Sequence, residues 1–305
     1  MVVNEAVQII VPSWNSERTI RMCLMSLKDL DYPNFKISVI DRFSNDDTKK
    51  IAESLGVPVI QKDCNRSEAY NFALGNFNSE YFALVDSDCV LPKNWLDVCM
   101  KEIRENGVGA VGGFYKTPKD APFWNKIIGM ELDTRRKRFK RVISRLPTGC
   151  LLIKRECLKN VPFDGKLDTA QETDWGYRLA SSGYKMIYMP EADVLHYHRD
   201  SLHKFFNQQF KYGCGIPEFY LKNRTALKGD DITSIWMNVQ PVALVAGLIS
   251  AILGFWLVIL CLFIYWLFLS VKNKCLAMCV IYCVRCFAWT SGLCVWLVRR
   301  IKNVF

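Results

Sequence analysis

The stretch Glu80 to Val90, "EYFALVDSDCV", runs five mostly apolar residues into two carboxylates separated by one serine. Tyr81 to Val85 shows no apolar–polar alternation, so it fits a parallel strand covered on both faces better than a strand with one wet side. Such a strand ends at the edge of a core. If the chain stays extended, Asp86 and Asp88 point to the same side, because strand side chains repeat every two residues. Converging carboxylates repel unless something positive stands between them, and a divalent cation carrying a phosphate fits that place. The plainer reading is a turn, since Asp and Ser are common turn residues. Context has to decide.

Outward from this stretch, the first half of the chain alternates strand and helix patterns. "VQIIV" (Val7 to Val11), "KISVI" (Lys36 to Ile40), "VPVI" (Val57 to Ile60) and "YFALV" read as strands. Glu17 to Leu30, Asp46 to Leu55 and Ser67 to Phe77 read as the intervening helices. That alternation predicts an α/β fold with right-handed crossovers and a parallel, doubly wound sheet. Ligands then bind beyond the carboxyl ends of the strands. The polar residues there form a set: "PSWN" (Pro12 to Asn15), "DRFSNDD" (Asp41 to Asp47), "KDCNRSEAYN", and the Asp86–Asp88 pair. No G-x-G-x-x-G follows the first strand and no G-x-x-x-x-G-K-[ST] occurs, which argues against the usual dinucleotide and P-loop sites.

In this order and spacing, "IIVPSWNSERTIRMCLMSL", "ISVIDRFSNDDT", "NRSEAYNFAL", "ALVDSDCVLPKNWL", "TGCLLIKRE", "QETDWGYRLASSGYK" and "HKFFNQQFKYGCG" resemble the family 2 glycosyltransferases of the GT-A fold, over roughly residues 7 to 215. The resemblance implies an α/β, GT-A-type, doubly wound and mostly parallel sheet. Pro12, Trp14, Asn15, Asp41, Arg66, Asn71 and Asp86 would bind a nucleotide-diphosphate sugar donor. Asp86 and Asp88 match the family's DxD pair, which holds Mn²⁺ or Mg²⁺ against the diphosphate. Of the three histidines, His196, His198 and His203, His198 joins the expected metal set, with His196 as the alternative. Glu172 in "QETDWGYRL" stands where the family's catalytic base is usually an aspartate, with Asp174 close enough to compete. Gln208, Lys211 and Tyr212 resemble the Q-x-x-R-W signature of processive members, with Lys and Tyr in place of Arg and Trp. Arg42 and Phe43 stand where the family pattern offers an acidic residue and glycine, so the base recognised is not fixed.

The second half is apolar. From Pro241 to Val271 there is no charged residue, and Leu276 to Val298 is interrupted only by Arg285. Both runs suffice for the roughly 20 apolar residues of a spanning helix. The expected organisation is therefore a catalytic domain over 1–225, a linker over 226–240 and a membrane region over 241–305, with helices at about 241–271 and 276–298. A tight hairpin near Gly254 is the alternative. The start "MVVNEAVQII" has neither a basic leader nor a cleavage site, so a multi-pass protein of the cell membrane with a cytoplasmic catalytic domain is expected.

Net charge is +10, and "DTRRKRFKRVISR" gathers much of the excess. Together with Trp124, Ile127, Ile128, Met130 and Leu132, this segment suits either an interfacial helix on anionic lipid or a solvated charged helix. It lacks the aromatic interleaving of a nucleic-acid surface, and no nucleic-acid partner is expected. The thirteen cysteines are scattered through apolar contexts and read as small buried hydrophobes in a reducing compartment.

The resulting expectation is a metal-dependent, inverting glycosyltransferase acting on a lipid-linked or cell-surface glycan. A polyprenyl-phosphate sugar transferase would share the donor site but would need no deprotonating base. A glycan-binding scaffold that keeps the fold without turnover would not need the carboxylates at 86, 88 and 172.

Overall fold

The computed structural model describes residues 5–167, 169–252 and 256–302. Its elements, in chain order, are β1 (Val7–Ser13), α1 (Ile20–Lys28), β2 (Phe35–Asp41), α2 (Thr48–Ser54), β3 (Val59–Gln61), α3 (Arg66–Asn76), β4 (Tyr81–Val85), β5 (Cys89–Val90), α4 (Trp95–Ile103), β6 (Val108–Gly112) and β7 (Tyr115–Lys116). Then follow α5 (Phe123–Arg136), β8 (Cys150–Lys154), α6 (Arg155–Asn160), α7 (Gln171–Ser181), β9 (Lys185–Tyr188), β10 (Val194–His196), α8 (Leu202–Lys222), α9 (Ile235–Ile252), α10 (Leu257–Lys272) and α11 (Ala277–Lys302). They form two compact units interleaved in sequence: Met1–Lys116 with Phe139–His196, and Thr117–Arg138 with Tyr197–Phe305.

The first unit is built on a seven-stranded sheet of order β3-β2-β1-β4-β8-β6-β9. The sheet is mostly parallel, as the alternation predicts. β8 is the exception, running antiparallel to both β4 and β6. It enters from the opposite end of the sheet, so no crossover helix is needed between it and its neighbours. All five residues of β4 are buried, which explains the missing alternation. Tyr81, Ala83 and Val85 face a cluster with Cys23, Leu24 and Leu27 of α1 and Trp95, Leu96 and Met100 of α4. Phe82 lies under the Arg155 guanidinium, 5.8 Å from its ring centre. Each fully buried side chain of this size contributes roughly 1.5–3 kcal/mol of transfer free energy. β3 begins two residues later than "VPVI" suggests, because Pro58 has no N–H to give to a ladder.

A second, three-stranded sheet, β5-β10-β7, closes the carboxyl edge of this unit. β10 pairs antiparallel with β5, with His196 opposite Cys89, and parallel with β7, with Val194 opposite Tyr115. Six cysteines of this unit, Cys23, Cys64, Cys89, Cys99, Cys150 and Cys157, are buried free thiols.

The second unit is helical. α5 does not lie open as an interfacial helix. Ile127 and Ile128 are buried in a cluster with Phe205, Leu244, Trp266, Met278, Ile281 and Tyr282 of the unit's own helices. The charge-free run read as one helix over 241–271 is two helices, α9 and α10, and α9 starts before Pro241. Its first turns are polar but satisfied: Gln240 accepts from Trp266 Nε1 at 3.1 Å, and Asn238 from Tyr220 Oη at 2.6 Å. The Trp266–Gln240 bond and the approach of Gly247 to Val258 and Ile259 show α9 and α10 packed antiparallel. Gly254, where the alternative hairpin reading turns, lies outside the described residues. Among the described residues, one helix, α11, is long and apolar enough to cross a membrane; α9 and α10 are apolar and shorter.

α11 runs alongside α8 at short range. A Cβ on Gly213 would sit 2.6 Å from the Trp289 carbonyl oxygen, and one on Gly292 would sit 2.5 Å from that of Phe210. Small residues at both faces are what lets two helix backbones approach so closely. Arg285, the cation interrupting the apolar run, is buried and donates to Glu131 Oε1 of α5 at 2.6 Å. Arg135 forms a fork on the same carboxylate at 2.7–2.8 Å.

Candidate active site

The chain does not stay extended beyond β4. Cys89 N donates to Asp86 O at 3.0 Å, which closes a turn over Asp86-Ser87-Asp88. The turn, and not a two-residue repeat, sets where each carboxylate goes. Ser87 Oγ pairs with Ser16 Oγ at 2.9 Å and ties the turn to the loop after β1.

Asp86 is 8% exposed. Its Oδ1 lies 3.6 Å from Arg66 Nε, and its Oδ2 accepts from Tyr115 Oη at 3.3 Å. Burial pushes the Asp86 carboxyl above the usual carboxylate range, and Arg66 opposes that shift. Asp86 in turn holds the Arg66 guanidinium firmly protonated. Gly149 of "TGCLL" is required here: a Cβ would stand 2.7 Å from Asp86 Oδ2 and 2.6 Å from Tyr115 Oη.

Asp88 turns toward β10. His196 Nε2 lies 3.5 Å from Asp88 Oδ2, and the His196 ring stacks on Tyr115 with centroids 4.2 Å apart. Asp88, Cys89 and His196 offer ligand atoms all within 4.8 Å of one another. Cys89 is fully buried, and burial pushes its thiol well above the ordinary range, so it is a poor metal ligand. The usable donors are thus a carboxylate oxygen and an imidazole nitrogen. His196, and not the expected His198, is the histidine grouped with Asp88. His198 falls in the second unit, where its carbonyl accepts from Asn125 Nδ2 at 2.7 Å.

The loops after β1 and β2 are laced together. Asn15, at φ +49°, donates its N–H to Ser44 Oγ at 2.8 Å and accepts from Asn45 N at 2.9 Å. Asp41 is fully buried and already accepts from Ser13 Oγ, Ser44 N, Ser44 Oγ and Gln61 Nε2. It shapes the loop from within. Ser13 ends β1 opposite Asp41, with Pro12 just before it, and the large apolar groups these loops expose are Trp14, at 62%, and Phe43, at 54%. Asn71 likewise uses both ends of its amide on the Phe163 backbone, at 2.8 and 3.0 Å. It fastens α3 to that loop, with one amide N–H and one oxygen lone pair left over.

Glu172 and Asp174 share the first turn of α7. Asp174 is 3% exposed and bound to Arg178 Nε at 2.7 Å. Trp175 Nε1 donates to Val161 O at 2.7 Å, and its ring stacks on Phe163 at 5.0 Å. These contacts clamp the helix start. Glu172 is only half-buried, and its charge acts on both Arg66 and Tyr70, each of which is also under the influence of Asp86. One locality thus holds Asp86, Arg66, Tyr70 and Glu172. In the second unit, Gln208, Lys211 and Tyr212 lie on α8, with Gln208 half-buried and Lys211 exposed. The neighbouring Gln209 is the buried one, accepting from Trp289 Nε1 at 2.9 Å.

Tyr115 has no recognisable signal in the sequence as a site residue, and Gly149 shows only as part of "TGCLLIKRE". Tyr115 becomes central only because β7 pairs with β10.

A mostly parallel α/β sheet with acidic turns at its carboxyl edge is the GT-A arrangement. The mannosyltransferase PcManGT from Pyrobaculum calidifontis, solved in complex with GDP-Man and Mn²⁺, superposes with a TM-score of 0.71 at 18% identity, covering 97% of this chain and 88% of that one. Glycosyltransferase AglE of Haloferax volcanii is 23% identical over 248 residues, 76% of this chain and 80% of that protein. A dolichyl N-acetyl-alpha-D-glucosaminyl phosphate 3-beta-D-2,3-diacetamido-2,3-dideoxy-beta-D-glucuronosyltransferase of Methanococcus voltae is 22% identical over 241 residues, 68% of this chain and 72% of that protein. The sequence model of glycosyl transferase family 2 matches residues 8–161. The chain belongs to that family and is a glycosyltransferase.

Proposed function

We propose that the protein is a membrane-anchored, metal-dependent, inverting glycosyltransferase that transfers a sugar from a nucleotide-diphosphate donor to a lipid-linked glycan. The observation that carries this reading is the acidic turn with its two basic partners: Asp86 Oδ1 lies 3.6 Å from Arg66 Nε, and Asp88 Oδ2 lies 3.5 Å from His196 Nε2.

The donor set Asp88 plus His196 suits Mn²⁺ better than Mg²⁺, since the harder ion prefers oxygen ligands alone. A bound divalent ion would act there as a Lewis acid on the diphosphate. Tyr115 keeps the imidazole in plane and holds Asp86 by its hydroxyl, so the site is oriented before donor arrives. Arg66 offers the diphosphate a fixed positive charge. Trp14 and Phe43 are the surfaces for the base, with Asp41 setting the loop that carries them. Glu172 accepts the proton from the acceptor hydroxyl as that oxygen attacks the anomeric carbon opposite the diphosphate, which inverts the configuration.

The lipid-linked acceptor is supported by the dolichyl phosphate named in the Methanococcus relative and by the apolar helices of the second unit. Residues 1–225 form the catalytic part, on the cytoplasmic side, and the helices beyond form the anchor. A polyprenyl phosphate acting as the nucleophile itself would not need Glu172. The test is a panel of nucleotide sugars assayed with Mn²⁺, Mg²⁺ or chelator, with and without a lipid-linked glycan. Metal-dependent transfer to the glycan supports the reading. Transfer only to unglycosylated polyprenyl phosphate overturns the acceptor assignment, and no donor binding overturns the activity.

A further inference from the structure

We propose that the second unit contains a binding site for a single hydrocarbon chain bearing a phosphate, formed by α8, α9 and α11 and by Arg224 just after α8. A cavity of about 390 Å³ opens there, lined by Tyr220, Leu221, Trp289, Leu293 and Trp296 among other apolar residues. That size lies within the ordinary range of ligand pockets. The inference rests on the lipid-linked acceptor reading and gives the lipid part of that acceptor a place.

The cavity has a structural origin. Pro217 lies inside α8 and Pro241 inside α9, and both line it. Each removes a backbone donor and crowds the preceding turn of its own helix. Meanwhile Gly213 and Gly292 draw α8 and α11 together beside it. The walls are therefore fixed by backbone contacts, and the gap between them does not collapse.

Away from Arg224, its chemistry disfavours a polar occupant. Apart from Arg224, the polar side chains of its lining are engaged with the protein itself. Asn238 accepts from Tyr220 Oη and donates to Leu227 O at 3.2 Å. Trp289 Nε1 donates to Gln209, and Trp296 Nε1 to Glu218 at 3.4 Å. Water needs two to four polar partners to stay in such a space, so the cavity favours an apolar ligand. The charged lining residue is Arg224, exposed and without a carboxylate partner among the described residues. Lys228 follows four positions later, and the nearby Glu218 is engaged by Arg300 at 3.4 Å. An apolar slot with an unpaired guanidinium at its lining fits one lipid chain with an anionic head. Two-chain bilayer lipids match the charge but not the single slot.

The test uses the full-length protein in nanodiscs and a photoactivatable polyisoprenyl phosphate, competed by polyisoprenyl phosphate, the corresponding polyisoprenol or phosphatidylglycerol. Labelling is expected within Gly213–Arg224 or Trp289–Trp296. The phosphate should compete about tenfold better than the alcohol, the scale of a charge-assisted contact. Leu293→Trp fills the slot and should cut labelling at least about fivefold, and Arg224→Gln should remove the preference for phosphate over alcohol. Val242→Trp, at an exposed lining position, serves if Leu293→Trp fails to fold. Labelling unchanged in the filling variant that folds, or phosphatidylglycerol competing as well as the prenyl phosphate, overturns the proposal. Nucleotide-sugar binding measured on the same samples reports on the glycosyltransferase reading independently, since the filling positions lie outside the donor-binding unit.

Discussion

His196 Nε2 lies 3.5 Å from Asp88 Oδ2, across the register in which His196 faces Cys89. The pair is made by the small sheet, not by any local motif. If it receives the metal, Asp88→Asn and His196→Gln should each abolish most Mn²⁺-dependent stabilisation by a nucleoside diphosphate. At a ligand concentration about 100 times Kd that stabilisation amounts to about 2.7 kcal/mol. Tyr115→Phe keeps the stack but loses the hydroxyl on Asp86, and should weaken metal affinity by about 10-fold, at the low end for an orienting contact. Thermal unfolding with and without chelator measures all three. Equal stabilisation in wild type and Asp88→Asn would sink the assignment.

Glu172 and Asp174 are separable by structure. Glu172→Gln keeps the size and leaves the helix clamp intact, so turnover should fall at least about 100-fold with donor binding preserved. Asp174→Asn loses the buried pair with Arg178 and should destabilise the fold by a few kcal/mol, with turnover per folded molecule largely kept. Single-turnover kinetics alongside unfolding curves distinguish them. A loss of turnover in folded Asp174→Asn, with Glu172→Gln active, would reverse the roles.

The Arg285–Glu131–Arg135 group predicts a non-additive pair. Arg285→Leu leaves a buried carboxylate with one partner instead of two and should cost about 3 kcal/mol. Adding Glu131→Leu should recover much of it, because the remaining apolar contacts no longer surround a charge. Burial alone would raise the Glu131 carboxyl, but Arg135 and Arg285 hold it down at about 2. A depressed carboxylate stabilises the fold above its ordinary titration range, and that contribution is lost as pH falls from about 5 toward 2. Unfolding curves against pH should therefore converge for wild type and Glu131→Gln at the acid end. Parallel curves would contradict the pairing.

The buried strand "YFALV" announces its own burial, and the order of polar strand ends locates the carboxyl edge that carries the site. Asp86, Asp88 and Arg66 are legible as candidates for that reason, and Glu172 only through the family resemblance of "QETDWGYRL". What escapes the sequence is pairing between distant segments. Nothing local says that Tyr115 will stack on His196, or that β8 will run antiparallel. Asp41 and Asn71 stand at the expected edge, yet their partners are other protein groups, and only the hydrogen-bond network reveals it. The apolar tail shows the same limit: Arg285 interrupts a hydrophobic run in the sequence, while Glu131, which neutralises it, lies 154 residues away.

The path of the apolar helices is the remaining prediction. α9 has 18 residues and α10 has 16, so at 1.5 Å per residue they are about 27 and 24 Å long, against a hydrocarbon core of about 30 Å. They pack antiparallel, with Gln240 bonded to Trp266 near one end and Gly247 against Val258 and Ile259 near the other. Their outer faces are apolar, including Ile249, Phe263 and Phe268. If the pair enters a membrane, it would return Lys272 and Lys274 to the side from which α9 enters, as the positive-inside rule prefers for those two lysines. The single crossing expected for 241–271 would leave those lysines on the far side. A cysteine at position 273 (Asn273→Cys), in a background lacking Cys261, Cys294 and the other reactive cysteines, reports the difference. With an impermeant reagent applied to intact cells, the antiparallel pair predicts protection until the membrane is opened. Labelling of intact cells would show instead that α9 and α10 together cross once, and that their packing does not return the chain to the cytoplasmic face.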